Sequence, residues 1–110
     1  MSRSSTTTRD ESRLAPVHPG EILAEDFLAP IGLTANQLAL SLRIPANRIT
    51  EIINGKRGIT ADTALRLARY FGTSAEVWIE LQGDYDLAVA REKRGAEIER
   101  SVLVPEKRSA

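Results

Sequence analysis

The sequence predicts an all-helical domain of five helices. Three observations carry this. No run of alternating β-branched residues stands between turn signals, apolar residues recur at three- and four-residue spacing from Ile22 to Val89, and Ser, Thr and Gly fall where helices start and stop. With 110 residues there is room for one compact domain and a tail or two. The expected division is a disordered N-terminal arm over 1–15, a helical domain over 16–94 and a C-terminal tail over 95–110. The arm is rich in Ser, Thr and charge and has almost no apolar content to offset the entropy of ordering it.

Helix one starts at Pro19, carries Ile22, Leu23, Asp26 and Phe27 at helical spacing, and closes at Pro30 and Gly32. Thr34 followed by Gln37 is a capping-box pattern, opening a second helix of about two turns with Leu38, Ala39 and Leu42 on one face. Arg43 and Ile44 make a turn, and Pro45 suits the first turn of helix three. On that helix Ile49, Ile52 and Ile53 share about a third of the circumference; Asn47, Glu51 and Asn54 lie opposite, flanked by Arg48 and Thr50. Gly55 ends it, and Gly55–Gly58 is a basic loop. The fourth helix is capped by Thr60, buries Ala64, Leu67, Ala68 and Phe71, and stops at Gly72. Thr73 to Glu76 reads as a second capping box, opening helix five with a stripe of Val77, Trp78, Leu81, Tyr85, Ala88 and Val89. Beyond Gly95 the periodicity fades, which predicts a frayed helix end and a loose tail, with VLVP able to pair with a partner.

Composition excludes several classes of function. With no cysteine and His18 the only histidine, thiol chemistry, disulfide frameworks, zinc ribbons and His-rich metal sites are out, and no metal or cofactor is expected. No apolar run approaches the ~20 residues of a membrane span, and the polar N-terminus lacks a signal peptide's apolar stretch, so a cytoplasmic protein is expected. The close carboxylate pairs, Glu25 with Asp26 and Asp84 with Asp86, have no histidine or nucleophile beside them, so no enzyme is expected. His18, in PVHPGE, has no second ligand at suitable spacing and reads as a helix-entry residue.

Fifteen basic and fifteen acidic residues cancel overall, but not locally. Residues 33–74 hold six basic and two acidic side chains, a net +4 between flanks of −2 each. Such a centre permits phosphate binding while the flanks keep non-specific affinity modest. Two short helices around a tight turn suit either a structural hairpin or a helix-turn-helix that enters the DNA major groove. The polar front favours DNA. An amide at Asn47 can pair with adenine and a guanidinium at Arg48 with guanine, each worth about 1–3 kcal/mol of discrimination. Glu51 can accept from cytosine or orient Arg48 or Asn47. Thr34, Gln37, Arg43, Lys56 and Arg57 surround them as phosphate holders. Plainer roles stand beside these: Gln37 as capping partner, Arg43 and Arg57 as solvated charges, Glu51 as the partner of Arg48. One helix in one groove buries too little for tight binding, so a homodimer on a palindromic site is expected. Ile79 and Leu87 lie outside the core stripe of helix five, either as a subunit contact or as ordinary surface apolar residues.

HPGEIL, the string PANRITEIINGKRGIT, and the series ALRLARYFGTS, W, LQ and YDL occur together in order over about residues 18–90. In this the chain resembles the HigA antitoxins, a VapI-like group of the Xre/Cro helix-turn-helix superfamily. The resemblance implies a five-helix, lambda-repressor-like DNA-binding domain that dimerises, represses its own operon, and neutralises a HigB-like toxin, an mRNA-cleaving ribonuclease acting at the ribosome. By position, Ala46, Asn47, Thr50 and Glu51 fall where the superfamily reads bases, and Arg48, Asn54 and Lys56 at neighbouring base or backbone positions. One departure is Arg43, where many relatives have glycine; if that residue is left-handed, arginine costs on the order of 1 kcal/mol. Candidate toxin-facing surfaces are the arm, helix one with Glu21, Glu25 and Asp26, and the acidic C-terminal region with Asp84 and Asp86. The alternative is a stand-alone Xre regulator with no toxin, which the neighbouring reading frame would distinguish.

Overall fold

The computed structural model describes residues 15–106, so the arm expected over 1–15 lies, apart from Ala15, outside the described residues. The described residues form five helices. The first, α1, runs from Pro19 to Ile31 as α-helical Pro19–Ile22, π-helical Leu23–Leu28 and α-helical Ala29–Ile31. Then follow α2 (Ala35–Leu42), α3 (Ala46–Ile53), α4 (Ala61–Phe71) and α5 (Ala75–Ser101), with no strand among the described residues.

His18 opens α1. Its Nδ1 accepts the Gly20 N–H at 2.9 Å, and Pro19 takes the first turn, where a missing N–H costs nothing. The five-residue hydrogen-bond spacing of the π-helical stretch brings Leu23 and Leu28 onto one buried face, which is why Leu28 joins the core at a position ordinary helical spacing does not select. The widening runs up to Pro30, whose ring has no N–H to continue the ladder, and Gly32 closes the helix in the left-handed conformation.

The second helix begins with both bonds of its capping box, Thr34 Oγ1 accepting from Gln37 N at 3.1 Å and Gln37 Oε1 from Thr34 N at 2.9 Å. Leu38, Ala39 and Leu42 are buried as expected. Pro45 differs from the expectation. It is the N-cap of α3, extended at φ −63° and ψ 143°, and Ala46 is the first helical residue. Three residues make the turn: Arg43 goes left-handed, Ile44 tucks half-buried against the core, and Pro45 is extended.

Thr60 caps α4 and left-handed Gly72 ends it. At α5 the second capping box does not form. Ser74 is the N-cap, accepting from Val77 N at 3.2 Å, while Thr73 Oγ1 accepts the indole N–H of Trp78 at 2.8 Å. Trp78 is fully buried, and an unsatisfied indole donor there would cost more than a second surface cap contributes. Val77, assigned to the core stripe, is exposed. The helix also runs through Gly95 to Ser101, past the point where a frayed end was expected.

The core gathers Leu23, Leu38, Ile49, Ile52, Leu67 and Trp78, all fully buried. Phe27 stacks edge-on to Phe71 at 5.0 Å and lies 4.9 Å from Trp78, joining α1 to α4 and α5. At Gly20 the backbone of α1 passes so close to α3 that a Cβ would overlap the Ile52 carbonyl oxygen. That close approach fixes where α3 sits.

Candidate nucleic-acid interface

The turn between α2 and α3 comprises Arg43, Ile44 and Pro45, and its geometry rests on α2's C-terminus. Arg43 is left-handed (φ 64°), and the Ile44 N–H reaches back to the Ala39 carbonyl at 3.1 Å. With Ile49 and Ile52 fully buried and Ile53 half-buried, α3 has one rotation about its axis, and that rotation leaves Ala46, Asn47, Thr50 and Asn54 exposed.

The candidate residues fall into separate small groups. Thr34 and Gln37 form the cap of α2; the cap uses the Gln37 carbonyl oxygen, so its amide nitrogen keeps two donors. Thr50 Oγ1 donates back to the Ala46 carbonyl at 3.1 Å, which commits its hydrogen and leaves a methyl and lone pairs. Glu51 is held by the loop beyond α3. Its Oε1 accepts from Arg57 Nε at 2.8 Å, and its backbone carbonyl accepts the Lys56 N–H at 2.8 Å. Glu51 therefore pairs with Arg57, where the plainer of its two readings had Arg48, and draws the basic loop against α3. Arg43 and Lys56 stand exposed beside these groups.

Arg48 is the half-buried member, its side chain 33% exposed, with Nη1 3.7 Å from Asp62 Oδ2 on α4. Asp62 in turn accepts from Arg66 through both oxygens, at 2.9 Å from Nε and 3.4 Å from Nη2. Arg66 Nη1 donates to the Leu42 carbonyl at the end of α2, at 2.8 Å. The hydrogen bond from Arg66, reinforced by the charges of Arg66 and Arg48, holds the Asp62 carboxyl below its ordinary range. Sequence reasoning missed Asp62 and Arg66; the signal was their i,i+4 spacing on α4.

Of the two apolar residues nominated as a subunit contact, Ile79 lines a groove of about 300 Å³ with Leu65, Ala61 and Ala75, edged by Glu76 and Glu80. Leu87 is exposed two turns further along α5 and does not line it. Among the described residues no group of three His, Cys, Asp or Glu could hold a metal ion, and no helix is long and apolar enough to cross a membrane.

A helix-turn-helix family model matches residues 26–78. The chain is 49% identical over 84 residues to Virulence-associated protein I of Dichelobacter nodosus, covering 76% of this chain and 78% of that protein. Among solved structures, a HigA-family addiction module antidote protein from Coxiella burnetii is 53% identical with a TM-score of 0.79, covering 84% of this chain and all of that one. Pseudomonas aeruginosa antitoxin HigA, solved with the higBA promoter, is 43% identical with a TM-score of 0.78, covering 80% of this chain and 96% of that one.

Proposed function

Because the chain belongs to the HigA antitoxin family of helix-turn-helix proteins, we propose that it represses its own operon by binding operator DNA as a homodimer and neutralises a HigB-like ribonuclease toxin in the cytoplasm. The observation that carries the DNA part is the setting of α3: an isoleucine back sealed into the core, with an exposed amide at Asn47 and a partly exposed guanidinium at Arg48 on its leading turn. Thr34, Gln37, Arg43, Lys56 and Arg57 flank it as phosphate contacts, and Ala46, Thr50, Glu51 and Asn54 complete the groove-facing surface. A mobility-shift assay on the protein's own promoter tests this. Asn47→Ala with Arg48→Ala should weaken the specific complex by roughly 2–6 kcal/mol without altering the circular dichroism spectrum. Unchanged operator binding by the double variant would remove both residues from the reading surface.

For the dimer, Ile79, Gly83 and Leu87 are spaced four apart on α5, one ridge of the kind that packs helix on helix, with the Leu65 groove beside its first member. For the toxin, the acidic faces at Glu21, Glu25 and Asp26 and at Asp84 and Asp86 are exposed and suit a basic partner. Co-expression with the product of the adjoining reading frame is the test. Relief of growth inhibition with a co-purifying complex supports an antitoxin; DNA binding with neither supports a stand-alone regulator.

A further inference from the structure

We propose that Asp62 is a positioning residue for operator discrimination: its carboxylate, fixed by Arg66, orients Arg48 toward bases and disfavours its use on random phosphates. The inference rests on the reading that α3 binds DNA. It starts from a chain of contacts that joins three helices. Leu42 at the end of α2 anchors Arg66 of α4 at 2.8 Å, Arg66 grips Asp62 through two hydrogen bonds, and Asp62 faces Arg48 of α3 at 3.7 Å.

The last distance matters. At 3.7 Å there is Coulombic attraction but no hydrogen bond, so the guanidinium is oriented without spending its N–H donors. Asp62 is itself 59% exposed in its side chain, so the pair is wet and adds little to folding. Two consequences for binding follow. A pre-oriented Arg48 gives up less side-chain freedom when its fork meets a guanine. A fixed negative charge beside it also repels any phosphate that approaches the same guanidinium, and that repulsion falls mainly on sequence-independent binding. Glu51 is engaged with Arg57, which leaves Asp62 as the acid facing Arg48 among the described residues.

The test compares Asp62→Asn and Asp62→Ser with the full-length parent, measuring affinity for the protein's own promoter and for a scrambled duplex of equal length across a salt series. Expected are about three- to tenfold tighter binding to scrambled DNA, unchanged or weaker promoter binding, and a scrambled-DNA salt slope steeper by up to about 1. In an Arg48→Ala background the same substitutions should leave the promoter-to-scrambled ratio unaltered, which a merely structural role for Asp62 would not produce. An unchanged ratio in the Asp62 variants, or an equal change with and without Arg48, overturns the proposal. If the parent protein itself does not prefer its promoter, the DNA-binding reading fails, and the role of Asp62 with it.

Discussion

Arg43 is the one non-glycine among the described residues with a positive φ, at 64°. The backbone there serves the turn: a left-handed residue after Leu42 lets the Ile44 N–H cap α2 and sets the angle at which α3 leaves. An L-residue with a long side chain pays on the order of 1 kcal/mol for that conformation relative to glycine. In the proposed DNA-binding role a phosphate contact is the matching gain, since Arg43 is exposed at the junction of the two helices. Arg43→Gly should therefore raise unfolding stability by up to about 1 kcal/mol in a denaturant titration while weakening promoter binding and lowering the salt slope by about 1. Equal promoter affinity and an equal slope would leave Arg43 as a solvated charge.

At the scale of helices, the positions that read correctly from sequence are those where one local rule decides. Thr34 with Gln37, the isoleucines of α3, and the glycine stops at Gly32 and Gly72 each follow from a spacing or a backbone need that nothing else contests. The misreadings sit where a tertiary demand overrides the local one. Thr73 fits a capping box, but the buried indole of Trp78 takes its hydroxyl and the cap moves to Ser74. The π-helical stretch of α1 rests on the approach to Pro30 and on core packing at Leu28, which no periodicity announces. Asp62 was legible as an i,i+4 partner of Arg66 but not as a neighbour of Arg48, because that contact depends on how α4 meets α3. The end of α5 was misread for the opposite reason. From Arg91 to Ser101 every residue is exposed except half-buried Gly95, so no apolar period is needed. Helix-favouring Glu, Lys and Arg, with the Arg94–Glu97 pair at 2.9 Å, sustain it. Gly95 is then the weak point. Its substitution by Ala meets only Arg91 Cβ at an ordinary 3.9 Å, so Gly95→Ala should add about 0.5–1 kcal/mol of local helix stability. Slower amide hydrogen exchange over residues 91–101, with the rest of the chain unchanged, is the expected readout.

Across the whole molecule, two features connect elements far apart in sequence. His18 sits where three of them meet, its Nδ1 capping α1, its ring 4.8 Å from Tyr85 of α5, and its edge where a Cβ on Gly55, beyond α3, would touch it at 3.9 Å. Burial pushes the imidazole below its ordinary 6.5, against the opposing pull of Asp86 and Glu21. On acidification the unfolded chain therefore takes the proton first. The contribution of neutral His18 is fully present above about pH 6.5 and is lost as pH falls through the lower folded-state value. A falling melting temperature over that window, flattened in His18→Asn, which keeps a capping oxygen but does not titrate, is the expected result. The second feature is the ridge on α5. In the proposed two-fold pair each copy presents the same face, so Ile79 and its Leu65 groove meet their counterparts. Ile79→Arg places a charge in the apolar centre of that face. Sedimentation should then show a monomer of unchanged helicity, with promoter affinity down at least a hundredfold because only one half-site is engaged. A dimer that persists in the Ile79 variant and dissociates only with Leu87→Arg would move the subunit contact two turns along α5.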